Sequence, residues 1–258
     1  MDPIAIQLGP ISITWYALFI VSGLIIGSYI GAKEATKHKF EEEQFYDMLF
    51  YLMIFSFLGA RLWYVIFDGT YYLQNPSEII KVWHGGLAIH GGIIGGASYL
   101  YYYAKKRGMN VFTLTDLAAP SLLLGQAIGR WGNFMNSEAH GGETTKEFLQ
   151  NGLHLPDFIV NGMHIDGVYY HPTFLYESTW NIIGFIIMMV VIRPKFRNRY
   201  GIITGFYLMW YGFIRFFIEM MRTDALMFGP IKVAQMTSLA MFVFGLILII
   251  KRKGDSNE

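Results

Sequence analysis

Tyr211, Arg215, Glu219 and Arg222 recur at i, i+4, i+8 and i+11, so a helix carrying them presents all four on one face. Taken alone, Arg215 and Glu219 read as an ion pair that neutralises itself and ties helices together. Beside Arg61 and Arg130 the stripe reads differently, as the lining of a cavity for an anionic group. Guanidiniums suit a phosphate because each offers a planar fork of donors. A second cluster is the run from His84 to Gly96, in which glycines flank His90 on its C-terminal side. Gly95 and Gly96 read as a close helix contact. The glycines next to His90 leave room for a substrate to approach an imidazole acting as base or donor. A third is Gly129-Arg-Trp-Gly-Asn-Phe-Met-Asn-Ser-Glu-Ala-His-Gly141, where Asn133, Asn136 and Glu138 supply donors and acceptors beside flexible backbone. His38, His84, His140, His154 and His164 read as solvated or interfacial histidines, and the tryptophans other than Trp131 as packing or interface residues.

The elements that must hold these groups are membrane helices. Of 258 residues, 53% are hydrophobic and only 15% charged, with a mean hydropathy of +0.36; soluble domains carry about 25% charge. A net charge of +1 excludes a nucleic-acid binder working by bulk positive charge. With no cysteine, disulfides, thiolate metal sites and a cysteine nucleophile are excluded as well.

A span needs roughly 20 apolar residues. Stretches with few or no charges lie between Asp2 and Lys33, and over 48–67, 82–104, 111–129, 173–192, 202–221 and 233–250. The expectation is therefore an all-α integral membrane protein of seven transmembrane helices. The first is too long for a removable leader and has no basic residues before it.

Thirteen of the 20 basic residues follow spans one, three, five and seven: Lys33, Lys37, Lys39, Lys105, Lys106, Arg107, Arg193, Lys195, Arg197, Arg199, Lys251, Arg252 and Lys253. Cytoplasmic loops collect Lys and Arg, so the N-terminus is expected outside and the C-terminus cytoplasmic. The one long loop, about 130–171, becomes a small extracytoplasmic head. The chain reads as a single domain over 1–258, with a frayed tail after Lys253.

This threading gives the costly residues a depth. Charge at the bilayer centre costs roughly 2.5–3.5 kcal/mol per residue, so each ion needs a reason. Tyr16, Arg61, His90, Arg130, His171 with Glu177, and the Arg215–Glu219–Arg222 stripe all come to the outer level. Only Asp116 lies toward the cytoplasm.

At this point the sequence resembles the bacterial prolipoprotein diacylglyceryl transferases. The Gly129–Gly141 segment is similar to that family's signature, G-R-x-G-N-F-x-N-x-E-x-x-G, at every fixed position. Further matches are Trp15-Tyr16, Gly59-Ala60-Arg61, Gly85-Gly86 through Gly92, His171-Pro172-Thr173, Leu175-Tyr176-Glu177 and Tyr211 through Arg222. Phe174 departs from it, since the family often has Gln there.

The resemblance implies transfer of the diacylglyceryl group of phosphatidylglycerol to the thiol of a lipobox cysteine in a prolipoprotein signal peptide. It implies residence in the bacterial cytoplasmic membrane, among membrane lipids, with the active site toward the outer leaflet. His90 is then the candidate base, with Arg215 a rival activator of the thiol. Arg130 and Asn133 are expected to hold the phosphate, with Arg61, Asn136 and Arg222 further substrate contacts. Glu138 and Glu219 would orient arginines or bind glycerol hydroxyls, while Tyr16, Tyr211 and Gly141 shape the lipid pocket. No metal motif such as H-E-x-x-H occurs, and no cofactor is expected.

Other classes fit less well. A lipid transporter or flippase would spread its ions across the bilayer. A seven-helix photoreceptor would need a lysine in span seven, and a serine protease a G-x-S-x-G motif. Phosphatidyltransferases working through paired aspartates find no such pair.

Overall fold

The computed structural model describes residues 2–9, 11–38, 40–196, 199–223, 226–229 and 231–253. Lys39, Arg197 and the tail after Lys253 lie outside the described residues. The chain opens on an antiparallel hairpin, β1 (Ile4–Leu8) and β2 (Ile11–Thr14), in register Gln7↔Ser12 and Leu8↔Ile11. The uncharged stretch after Asp2 is therefore longer than the helix within it. The stretch after Asp2 lacks charge, but Ile4, Ile6 and Leu8 alternate with other residues in the two-residue period of a strand. Gly9, at φ +57°, takes up the left-handed backbone of the turn. The helix α1 starts only at Trp15 and runs to Lys37, with the Thr14 hydroxyl accepting the Ala17 N–H at its first turn.

Next come α2 (Glu42–Phe67), the short α3 (Gly69–Gln74), two 3-10 turns (Pro76–Ile80 and Val82–His84), α4 (Ile89–Lys106) and α5 (Val111–Met135). The expected head follows. It contains a three-stranded sheet of order β3-β5-β4 (Glu143–Thr144, His164–Ile165, Val168–Tyr170) and α6 (Asp157–Gly162). Helix α7 (Thr173–Ile187) continues through a π turn (Met188–Ile192) into α8 (Arg193–Lys195), forming one rod of 23 residues. After α9 (Ile202–Met221), a two-stranded hairpin, β6 (Met227–Phe228) and β7 (Ile231–Lys232), leads to α10 (Val233–Lys253).

Six of the described helices are long and apolar enough to cross a membrane. The seventh expected span, α4, is not among them. Its 18 residues include four glycines, four tyrosines and two lysines, which dilute its hydropathy.

Two compact units are distinguishable, 31–114 and the larger 1–30 with 115–258. In the smaller unit α2 and α4 cross at glycines. A Cβ on Gly59 would run into the Gly91 carbonyl, one on Gly91 into Trp63, and one on Gly95 into the Phe55 carbonyl. The glycines after His90 therefore close a helix contact instead of opening space beside the imidazole.

In the larger unit α1 and α5 meet at Gly23, Gly27, Ser121 and Gly125, with the Ser121 hydroxyl donating to the Gly27 carbonyl at 2.7 Å. The head has its own core of Phe134, Leu149, Ile159, Val160, Met163 and Phe174. Phe174 stacks on Phe134 at 4.4 Å, so an aromatic ring serves here as core where the resembled pattern often has an amide.

Asp116, the ion expected to stand apart from the others, has a structural task. Its buried carboxylate accepts the backbone N–H groups of Gly201 and Thr204, both at 2.7 Å, and caps α9 from a neighbouring helix. Asp116→Leu should leave those donors without a partner, at about 1–3 kcal/mol per buried group. Thermal melting in detergent should show a drop of at least several degrees; an unchanged midpoint would remove Asp116 from this role.

Candidate functional site

Three helices of the larger unit build the site. Helix α5 contributes Arg130 and Asn133, one turn apart. Helix α7 contributes Glu177 from its first turns, and α9 the stripe Tyr211, Arg215, Glu219. Glu177 is the centre. Its side chain has no solvent exposure, and its two oxygens face two guanidiniums. Arg130 Nη2 donates to Oε1 at 2.7 Å, and Arg215 Nη1 reaches Oε2 at 3.5 Å. Arg215 Nη2 pairs with Glu219 Oε2 at 2.7 Å along its own helix. The Tyr211 hydroxyl lies beside the Arg130 guanidinium, and Arg130 Nη1 is 3.5 Å from Asn133 Oδ1.

The loop after α5 completes this face. Ser137 and Ala139 sit at φ +53° and +56°, left-handed values that cost a non-glycine residue of order 1 kcal/mol or more. The resulting turn folds Glu138 back so that its Oε1 accepts Asn133 Nδ2 at 2.9 Å and Asn136 Nδ2 at 3.2 Å. The loop is tied to the start of α7 by Thr173 Oγ1 donating to the Ala139 carbonyl at 2.7 Å and by Gly141 N–H donating to the His171 carbonyl at 2.9 Å.

The expectations meet this geometry unevenly. Arg130, Asn133, Asn136, Glu138, Tyr211, Arg215 and Glu219 come together in one network. Tyr16 packs against Gly132, whose Cβ would meet its ring and backbone. Gly141 is needed for close approach, since a Cβ there would lie 2.8 Å from His171 Cβ. It fixes the loop to α7, a different task from shaping a lipid pocket. Arg222 ends α9, and its carbonyl accepts Lys232 Nζ at 2.7 Å, as does that of Glu219 at 2.7 Å. Lys232 thereby caps the helix bearing the stripe, a role not read from the sequence.

Among the described residues this network carries no surplus of positive charge. Glu177 and Glu219 match Arg130 and Arg215 one for one.

Arg61 and His90 belong to the smaller unit. Arg61, expected to contact an anionic substrate, is buried and directed elsewhere. Its Nε donates to the Ile79 carbonyl at 2.9 Å, Nη1 to Gly85 at 2.7 Å and Gly86 at 2.8 Å, and Nη2 to Glu78 at 2.6 Å. Four of its five N–H groups are thus engaged by backbone, and Tyr72 covers its face at 5.2 Å. The positive φ of Gly85 and Gly86, +86° and +82°, turns both carbonyls toward it. Glu78 is fixed in the same loop by Lys81 and His84, whose hydrogen bonds hold its carboxyl below the usual range.

Arg61→Lys cannot span four carbonyls from one nitrogen. Amide exchange over 76–88 should accelerate about tenfold or more. Exchange unchanged from the parent would contradict the clamp. His90 stands at the first turn of α4 and is exposed. Glu177 was the residue given no task by sequence reasoning; the available signal was that it is the only charge within 173–192.

Comparison with known proteins points one way. The family model described as prolipoprotein diacylglyceryl transferase matches residues 3–251. A phosphatidylglycerol–prolipoprotein diacylglyceryl transferase of Bacillus cereus (strain 03BB102) is 49% identical over 253 residues, covering 98% of this chain and 93% of that one. Proteins of the same name from Bacillus thuringiensis subsp. konkukian (strain 97-27) and Bacillus mycoides (strain KBAB4) show the same 49% identity and coverage.

Proposed function

This chain belongs to the prolipoprotein diacylglyceryl transferase family, and we propose that it moves the diacylglyceryl group of phosphatidylglycerol onto the lipobox cysteine thiol of a prolipoprotein. The thiol sulfur attacks the glycerol carbon that bears the phosphate. A C–S bond forms, the C–O bond to phosphate breaks, and glycerol phosphate leaves with the bonding pair. Arg130 and Arg215 take the phosphate, with Asn133 beside them. The observation that carries this reading is Glu177, which holds two guanidiniums from two different helices against one buried carboxylate. Two of the network's contacts, Arg130–Asn133 and Arg215–Glu177, are long at 3.5 Å. Phosphate oxygens can replace such weak contacts without breaking the short ones. The donors then already point where charge develops on the leaving group.

His90 is assigned the thiol proton, and Arg215 the alternative task of stabilising the thiolate. Tyr16, Asn136, Glu138, Gly141 and Arg222 act by holding this face in shape. Arg61 is reassigned from substrate contact to the clamp on the loop before α4.

The proposed setting is the bacterial cytoplasmic membrane, with α4 as a seventh span packed on α2 and the whole chain working as one domain. An outside N-terminus and cytoplasmic C-terminus follow from the basic residues after alternate spans. They bring the head and the Glu177 network to the outer leaflet.

The test is mass spectrometry on the purified protein with phosphatidylglycerol and a lipobox peptide, beside its Cys→Ser twin. A diacylglyceryl mass gain on the cysteine peptide alone is expected. No gain on either peptide from folded, lipid-bound protein would overturn the reading.

A further inference from the structure

Beyond the ion pairs, the same three helices carry a second polar layer to which no task has been assigned. Asn181 on α7 has no solvent exposure, yet among the described residues neither its Nδ2 nor its Oδ1 has a hydrogen-bond partner. The Oε1 of Gln126 on α5 is also buried and unpartnered, while its Nε2 donates to the Tyr207 hydroxyl at 3.0 Å. These groups are neighbours by register. Helices α5 and α7 run antiparallel, since Arg130 meets Glu177 while Ala119 and Leu123 share a core with Met188. One turn back from Arg130 is Gln126, and one turn on from Glu177 is Asn181, so helix register sets the two amides at one level, about 6 Å along from the ion pairs. Tyr207 stands one turn before Tyr211 on α9, with the two rings stacked at 6.0 Å.

Three unmatched polar atoms in a buried layer destabilise the fold unless something binds them. Their chemistry says what that is. Asn181 Nδ2 requires an acceptor, but Asn181 Oδ1 and Gln126 Oε1 both require donors. Phosphate oxygens and ester carbonyls only accept, so they would leave two of the three unmatched. A hydroxyl group does both: its one O–H and its lone pairs match two of the three, and a water or a pair of neighbouring hydroxyls matches all three.

We propose that Gln126 and Asn181 form a neutral binding site for a hydroxyl group, one turn from the Arg130–Glu177 pair. Two sources share that chemistry: an internal water, which typically makes about three hydrogen bonds, and a hydroxyl of the glycerol headgroup. Occupation of the site braces Glu177, and hence both arginines, from the side away from the head. Only the second source rests on the transfer reaction proposed above.

The test uses the full chain in lipid nanodiscs, with phosphatidylglycerol and with phosphatidylpropanol of the same acyl chains, whose headgroup has no hydroxyl. Transfer to a lipobox peptide is followed for the wild type, Asn181→Leu, Gln126→Leu and the double variant. Asn181→Leu should lower transfer about tenfold, and the double variant should be no worse than either single, because one ligand serves both amides.

If the ligand is the glycerol hydroxyl, the wild type has a higher KM for phosphatidylpropanol and Asn181→Leu abolishes the difference. If it is water, kcat falls equally with both donors and the KM ratio stays. A dry site gives a different result: exchanging an unmatched amide for leucine raises the melting temperature and leaves transfer unchanged. That would overturn the proposal.

A near-atomic map of the wild type provides a readout that does not depend on activity. Density within hydrogen-bond reach of both amides supports the site even if no transfer is measured, whereas a dry layer in an active enzyme sinks it alone.

Discussion

Glu177→Gln should lower transfer by about a hundredfold to a thousandfold and destabilise the protein, even though the replacement has nearly the same shape. The carboxylate is inaccessible to solvent, and the guanidinium side chains against it are only 18% and 14% exposed. Removing its charge leaves Arg130 with no carboxylate partner among the described residues and Arg215 with Glu219 alone. Breaking a buried pair by deleting one partner costs about 3–5 kcal/mol, because the remaining charge stays desolvated. Each 1.4 kcal/mol that appears in the barrier is a factor of ten in rate.

Two measurements separate the effects. A melting curve in detergent reads the loss of stability, and turnover at saturating peptide reads the loss of preorganised donors. Glu177→Asp keeps the charge but shortens the arm, so it should restore stability more than turnover. A Glu177→Gln protein that melts and turns over like the wild type would show that the arginines hold their places without it.

The spans were legible because their signal is additive: a window of uncharged residues needs no partner to be recognised. The same signal does not separate the hairpin from the helix that follows it. The absence of charge over 3–14 says nothing about period, and the alternation of Ile4, Ile6 and Leu8 is what marks the hairpin. In α4 the glycines that serve the crossing with Gly59 lower the hydropathy, so the absence of charge over 82–104 is not matched by an apolar helix.

Among the site residues, the stripe from Tyr211 to Glu219 could be read from helical periodicity within one segment. The charge balance of the site could not. It depends on which residues face each other across α5, α7 and α9, so the pairing of Arg130 with Glu177 across 47 positions had no signature in either segment alone. The surroundings of Arg61 were hidden for the same reason. An arginine near a membrane surface suggests an anion, whereas four backbone carbonyls turned inward by Gly85 and Gly86 satisfy it as well.

His90→Gln should cut turnover by about a hundredfold to ten-thousandfold, the usual contribution of a general base, with little change in melting. The reasons for expecting a clean kinetic effect are structural. The side chain is exposed at the first turn of α4, while the neighbouring Gly91 carries the contact with α2. Losing the imidazole therefore removes little buried packing.

If His90 takes the proton from the thiol, the variant should lose one limb of the pH–rate profile, and KM for phosphatidylglycerol should stay near the wild-type value. The rival activator predicts otherwise. Were Arg215 to lower the thiol's proton affinity by charge alone, Arg215→Lys would keep part of the turnover and His90→Gln nearly all of it. Measuring both variants across pH, with chemistry made rate-limiting by a poor lipid donor, decides between them. A His90→Gln enzyme with full turnover and an unaltered profile would assign the thiol's activation to the guanidinium that Glu177 and Glu219 already hold in place.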